Sequence, residues 1–173
     1  VTASAEELVK QTFPSLTVLL VQPFKKPFCH AGMPDDSFIR GKTPMTKQEV
    51  RAVVMAKLAL QPEETVWDVG AGTGSVSVEM ARAACRGQVY AIERNDEACG
   101  LIEQNRQKFA AWNLHVQKGK APDALLPLPA PDAVFIGGSG GNMKEIIRQV
   151  YEKSKHARSC VTAIGAGSLS AAV

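Results

Sequence analysis

The chain predicts a doubly wound α/β domain, a mostly parallel sheet with helices on both faces, and three observations carry that prediction. Short apolar, β-branched runs alternate with amphipathic helical runs between residues 46 and 164, the pattern that builds a parallel sheet. One such run, Thr65 to Val69, stops in the turn Gly70-Ala71-Gly72-Thr73-Gly74 and passes straight into a helical stretch, Ser75 to Ala84. The following strand run, Gln88 to Ile92, is succeeded at once by Glu93, roughly 20 residues beyond the turn. In such sheets ligands sit at the carboxyl ends of the strands, where the turn and Glu93 both fall.

The elements follow in order. Leu16 to Val21 reads as a strand, but Pro23, Pro27, Gly32 and Pro34 follow it and it has no partner within its own segment. Residues 1–36 are therefore read as a linker or the tail of an upstream domain, and 37–173 as the α/β domain. Thr46-Lys47-Gln48-Glu49 fits a capping box opening a helix through Leu60, with Val50, Val53, Val54 and Leu58 as its buried face. After the strand Thr65 to Val69, the helix Ser75 to Ala84 and the strand Gln88 to Ile92 come a helix Glu97 to Trp112 and a strand Leu114 to Lys118. A proline-broken loop (Pro122, Pro127, Pro129, Pro131) leads to the strand Ala133 to Ile136, the helix Asn142 to Lys153 and the strand Ser159 to Ile164.

Composition narrows the function. With 173 residues, 45% hydrophobic and 21% charged, the chain matches an ordinary globular domain. No apolar run is long enough to span a bilayer, and Val1 to Lys10 lacks the apolar core of a signal peptide. Cys29, Cys85, Cys99 and Cys160 form no C-x-x-C pair, and Cys29-His30 lacks further ligands at metal spacing. They are read as free thiols in a reducing cytoplasm, with no metal site. A net charge of +3 does not call for nucleic acid or a membrane surface and suits a polyanionic small substrate.

The glycine turn carries the chemistry. Alternating glycines let the backbone turn tightly and approach a ligand closely, and the helix behind them offers free N–H groups to an anion. The spacing is G-x-G-x-G, not the G-x-G-x-x-G of dinucleotide sites. That difference points to S-adenosylmethionine, whose carboxylate needs a shallower cradle than a pyrophosphate, held by Gly70, Ala71, Gly72, Thr73 and Gly74. Glu93 is placed to accept from the ribose hydroxyls. Asp68 either sits near the methionine amino group or braces the glycine turn through backbone N–H groups; a turn Asp capping its own loop is the structural alternative. Thr46 caps its helix and its hydroxyl is also a candidate for the cofactor's edge. Arg40, Lys42, Lys47 and Arg51 lie before and within that first helix, where Lys47 and Arg51 share a face. They are either contacts for substrate carboxylates or a solvated basic face.

These residues resemble the decarboxylating precorrin methyltransferases of cobalamin biosynthesis, which have the Rossmann-like class I methyltransferase fold. The likeness runs through Gly32-Met33-Pro34-Asp35-Asp36-Ser37-Phe38-Ile39-Arg40 and Pro44-Met45-Thr46-Lys47-Gln48-Glu49-Val50-Arg51, continues through Trp67 to Ser77, and reaches Phe135-Ile136-Gly137-Gly138-Ser139-Gly140-Gly141. The resemblance implies methylation of C15 of precorrin-6B or its cobalt form, with loss of CO₂ from the C12 acetate. It places Thr46, the Gly70 to Gly74 turn, Glu93 and Ala121 on S-adenosylmethionine, and Gly137, Gly138 and Ser139 beside the tetrapyrrole. Lys120 stands where methyltransferases often carry an acidic residue for the adenine, so that contact falls to backbone at Ala121. Catalysis would rest on positioning and on cations holding peripheral carboxylates, with no general base assigned.

The family further implies a homo-oligomer, a tetramer, and fusion to or partnership with a tetrapyrrole C5-methylase, whose tail Glu6 to Val21 resembles. The last two strands of the class I fold are not legible after Ile164. Two other readings stay open on the same fold: an RNA or protein methyltransferase, and a non-catalytic S-adenosylmethionine-binding partner domain. The glycine run after the fourth strand has none of the aromatic or Asn groups that would hold a flipped base.

Overall fold

The computed structural model describes residues 3–15, 17 and 31–162. Its centre is a five-stranded, wholly parallel sheet of β1 (Thr65–Val69), β2 (Gln88–Glu93), β3 (Leu114–Lys118), β4 (Ala133–Ile136) and β5 (Arg158–Val161), in the order β3-β2-β1-β4-β5. The strand order reverses at β1, so the crevice between the β1 and β4 ends is the topological switch point. Five helices are described: α1 (Ala5–Leu8), α2 (Gln48–Leu58), α3 (Ser75–Ala83), α4 (Asp96–Lys108) and α5 (Met143–Lys153).

Strand alternation divides the core in two. Val66, Val89, Ala91 and Phe135 face α2, α3 and α4, packing on Val54, Leu58, Val78, Met80 and Ile102. Trp67, Val69, Ile92, Val134 and Ile136 face the other way, onto α5 and the loop residues Ala124, Leu125 and Leu128. Both faces of the sheet are thus covered, as the unbroken burial of Val66 to Val69 in β1 and of Ala133 to Ile136 in β4 requires.

Several elements differ from their expected limits. α2 begins at Gln48 with Lys47 as its cap residue and no side-chain cap bond, so the Thr46 capping box does not form. The buried side of α2 is Arg51, Val54, Met55 and Leu58, while Val50 and Val53 are exposed at 42% and 58%. The cause is Arg51. Its guanidinium lies wholly buried between Glu79 (Nε to Oε1, 2.9 Å) and Asp35 (Nη1 to Oδ1, 2.7 Å) and donates to the carbonyls of Thr46 and Met33. Rotating Arg51 inward turns the two valines out, and the Thr46 carbonyl is engaged by the guanidinium. Arg51 is therefore neither a substrate contact nor part of a solvated face.

α4 starts under an Asn95 cap, whose Oδ1 accepts the Ala98 N–H at 3.0 Å, and stops at Lys108, well short of Trp112. Ala110 there takes a left-handed conformation, φ +50°. β5 begins at Arg158 and its described part ends at Val161. Of the expected strand over 16–21 only Thr17 is described, and it is not in a strand; the rest of it, the Cys29-His30 pair and the chain beyond Thr162 lie outside the described residues.

Residues 31–47 run as a strap along the α2, α3 and α4 side. Glu79 of α3, 3% exposed, receives the N–H groups of Gly32 (2.7 Å) and Met33 (2.9 Å). Asn105 of α4 is fully buried; its Oδ1 accepts the Ile39 N–H at 2.8 Å, and its Nδ2 donates to the Ile39 carbonyl at 3.0 Å and the Thr73 carbonyl at 2.9 Å. The strap is thereby fixed to the same helices that carry the glycine turn.

Candidate functional site

A cleft of about 850 Å³ opens at the carboxyl ends of β1, β2, β3 and β4, within the size range of small-molecule and cofactor sites. The strap supplies one wall and the loops after the strands supply the rest. Of the residues expected to contact a cofactor, Thr46, Gly70, Ala71, Gly72, Glu93 and Ala121 line it together. Lys47, Gly137, Gly138 and Ser139, expected on the substrate, line it as well. Asp68, Thr73, Gly74 and Arg40 do not.

The backbone explains the glycines. Gly70 has φ +75°, and a Cβ there would lie 2.5 Å from the Gly138 carbonyl oxygen, so the loops after β1 and β4 meet backbone to backbone. Gly72, at φ +57°, faces the strap, where a Cβ would stand 3.0 Å from the Pro44 carbonyl. The turn is a junction between sheet, strap and helix α3 as much as a surface for a ligand.

Glu93 is held in place before any ligand arrives. Its Oε2 accepts the Gly72 N–H at 3.0 Å, and its Oε1 accepts the N–H groups of Arg94 (2.8 Å) and Asn95 (2.9 Å). A carboxylate has roughly four acceptor sites, so these three donors leave about one for a hydroxyl entering the cleft. The half-buried carboxylate needs no reorientation to use it.

Asp68 has a different role from Glu93. It is 1% exposed on the α3 side of β1, where it accepts from the Ser77 hydroxyl. Burial pushes its pKa up to about 7, the Ser77 hydrogen bonds oppose that, and the nearby Glu93 charge adds to it. Its Oδ1 is buried without a hydrogen-bond partner. Asp68 thus braces the first turn of α3 through the Ser77 hydroxyl, a second rank behind the cleft, and among the described residues no N–H of the glycine turn donates to it.

Arg40 closes an exposed pair with Asp36 at 2.8 Å, away from the cleft. Lys47 stays at the cleft with a loose contact to Asp35, 3.8 Å. Among the described residues no group of His, Cys, Asp and Glu could hold a metal ion, and Cys85, Cys99 and Cys160 are free thiols. No described helix is long and apolar enough to cross a membrane.

Reading by residue type missed Glu79 and Asn105. Each sits in the buried phase of its helix, Glu79 within Val76, Val78 and Met80, Asn105 in line with Leu101 and Ile102. A carboxylate or amide side chain among such apolar neighbours was the available signal, because burying it demands partners.

Comparison with known proteins agrees with this architecture. A cobalt-precorrin-6B C(15)-methyltransferase (decarboxylating) of Salmonella typhimurium is 47% identical over 116 residues, covering 66% of this chain and 59% of that protein. The chain therefore matches less than two thirds of that relative's length. A probable enzyme of the same description from Pyrobaculum calidifontis is 40% identical over 150 residues, 85% of this chain and 77% of its own. The crystal structure of precorrin-6y C5,15-methyltransferase from Geobacter metallireducens superposes with a TM-score of 0.78 at 43% identity, covering 82% of this chain and 76% of that one. The family described as precorrin methyltransferase domain matches residues 36–173, and the chain belongs to that family.

Proposed function

We propose that this domain binds S-adenosylmethionine in the cleft and methylates C15 of precorrin-6B or its cobalt form, with loss of CO₂ from the C12 acetate. The observation that carries the cofactor assignment is the Glu93 carboxylate, tied to the Gly72 N–H across the turn with acceptor capacity to spare. The residues fit the group. Glu93 would take a ribose hydroxyl, the turn from Gly70 to Gly72, whose own N–H groups are engaged by the Ile92 carbonyl and Glu93, would let the cofactor approach the backbone closely, and Ala121 and Thr46 would border the rest. Thr73 and Gly74 shape the turn from outside the cleft, and Asp68 holds α3 beneath it.

When bound, the cofactor supplies an electrophilic methyl group. The chain's part is to orient and to exclude water. Gly137, Gly138 and Ser139 border the acceptor, and Lys47 stands ready for one of its carboxylates. The C15 position and the decarboxylation are supported by the names of the relatives above, and the C12 acetate is what the family resemblance implies. The same reading takes residues 1–36 as a linker or the tail of an upstream C5-methylase, with 31–36 packed into this domain as the start of the strap, and the working form as a cytoplasmic homo-oligomer, a tetramer.

The test is incubation with methyl-labelled S-adenosylmethionine and a precorrin-6B-type tetrapyrrole, following label and product mass together. A product heavier by one methyl and lighter by one CO₂ supports the reading. Cofactor binding without transfer would leave only a non-catalytic binding domain.

A further inference from the structure

The cleft carries more positive charge than a sulfonium cofactor needs. Four cationic side chains line it, Lys42, Lys47, Arg94 and Lys120, against two carboxylates, Glu93 and Glu97. S-adenosylmethionine brings a sulfonium and an ammonium with one carboxylate, so it is itself a cation and added lysines repel it. Lys47 is loosely paired with Asp35, but Lys42, Arg94 and Lys120 have no side-chain ion pair, hydrogen bond or ring contact among the described residues.

Arg94 is the most telling of the three. Arg51, Arg86, Arg106 and Arg158 each close on a carboxylate, and Arg94 does not. Its backbone is fixed, because its N–H donates to Glu93 at the end of β2. Its guanidinium reaches across toward the glycine run after β4, with Nη1 3.8 Å from the point a Gly140 Cβ would occupy. The guanidinium thus stands beside Gly140 at the cleft, next in sequence to Glu93. Lys120 comes from the loop after β3 and Lys42 from the strap, so three separate elements converge their cations on one opening.

We propose that Arg94, Lys120 and Lys42 form a clamp for carboxylates of a polyanionic substrate, with Arg94 as its principal, bidentate contact. The assignment rests on the cofactor reading above, since the cations are unclaimed only if the cofactor is cationic. Because the three arise from different elements, the clamp reads where carboxylates sit around a rigid ring as well as how many there are.

The test uses uroporphyrin I, a tetrapyrrole with carboxylates round its rim, and a porphyrin bearing N-methylpyridinium groups as the cationic macrocycle of similar size. Binding is followed by absorbance and tryptophan quenching for the wild type, Arg94→Gln, and the triple Arg94→Gln, Lys120→Gln, Lys42→Gln variant. S-adenosylhomocysteine is titrated calorimetrically in parallel. The wild type should bind uroporphyrin I in preference to the cationic ring, more weakly as salt rises. Arg94→Gln should weaken it about threefold and the triple variant about tenfold or more, as partly exposed ion pairs allow. S-adenosylhomocysteine affinity should stay within about twofold, which also certifies that the variants are folded. Equal uroporphyrin affinity in the triple variant, equal binding of the cationic ring, or a matching loss of S-adenosylhomocysteine affinity would each overturn the clamp. Uroporphyrin I is not the proposed methyl acceptor, so intact clamp binding with no methyl transfer to a precorrin would remove the proposed function and leave the clamp standing.

Discussion

Replacing Glu93 with Gln changes no volume and one charge, and its cost can be worked from three hydrogen bonds. The carboxylate receives Gly72 on one oxygen and Arg94 and Asn95 on the other, at 3.0, 2.8 and 2.9 Å. Glutamine offers a single acceptor oxygen. If it stays with Arg94 and Asn95, its NH₂ faces the Gly72 N–H and the turn is pushed away from the strand end. If it flips, two N–H groups of the β2–α4 connection lose their acceptor instead. In either arrangement an entering hydroxyl meets a donor or a neutral, already engaged oxygen in place of a carboxylate.

A hydrogen bond to a charged group contributes about 1.5–3 kcal/mol, and removing one from the bound state should cost about 2 kcal/mol of cofactor affinity, roughly thirtyfold in Kd. Calorimetric titration of S-adenosylhomocysteine measures this directly, with a thermal melt to confirm that the strand end survives. Glu93→Ala should lose about as much, within the 1–3 kcal/mol range of an unmade buried bond. Binding of the Gln variant within threefold of wild type would refute the assignment of Glu93 to the ligand and leave it as a loop brace only.

Four further perturbations read other parts of the argument. Arg51→Met leaves Glu79 buried without its cation and should destabilise the domain by about 3–5 kcal/mol, lowering Tm by roughly 6–20 °C; a melt within 2 °C or so of wild type would contradict the buried network. Asp68 has its folded pKa raised from 3.8 to about 7, so the native state binds the extra proton and stability falls as pH rises between those values, then levels off. Asp68→Asn should flatten that slope in pH-dependent melts, and an unchanged slope would assign the titration elsewhere. Asn105→Ala removes three bonds to Ile39 and Thr73 backbone and should cost about 1–3 kcal/mol, with a larger relative loss of S-adenosylhomocysteine binding than a surface variant of equal melting point. Gly72→Val places a branched side chain at φ +57° against the Pro44 carbonyl, so binding should vanish while far-ultraviolet circular dichroism stays near wild type; lost secondary structure would mean that the turn nucleates the fold.

Much of this was legible in the chain, for identifiable reasons. β1, β3 and β4 have the limits their runs imply, since each is bounded by a charged or glycine-containing turn; β1 and β4 are buried by both helix layers, while β3 is an edge strand anchored by Leu114. The glycine turn and Glu93 meet because strand order puts β2 beside β1 in register, Val69 opposite Ile92. What failed was the face of α2. Periodicity assigns valine to the core and arginine to water, and that rule holds only while the arginine has no buried partners. Its partner Glu79 lies 28 residues on and Asp35 lies 16 back, so no local window contains the information. Asp68 misled for the opposite reason: it is adjacent to the turn in sequence, but strand alternation sends its side chain beneath the sheet toward Ser77.

The buried charges then acquire a purpose in the site. Apolar residues at positions 51 and 79 together would fill the same space without the desolvation cost, so raw stability does not explain a buried ion pair there. The contacts of the guanidinium do. It donates to Met33 near one end of the strap and to Thr46 near the other, while Asn105 fixes Ile39 between them and Thr73 of the turn. Apolar packing would hold the strap against the helices in more than one register, whereas directional bonds at three points along it permit only one. That register sets where Lys42, Thr46 and Lys47 stand relative to Glu93, and a cleft that must position two ligands has to fix such distances before either arrives.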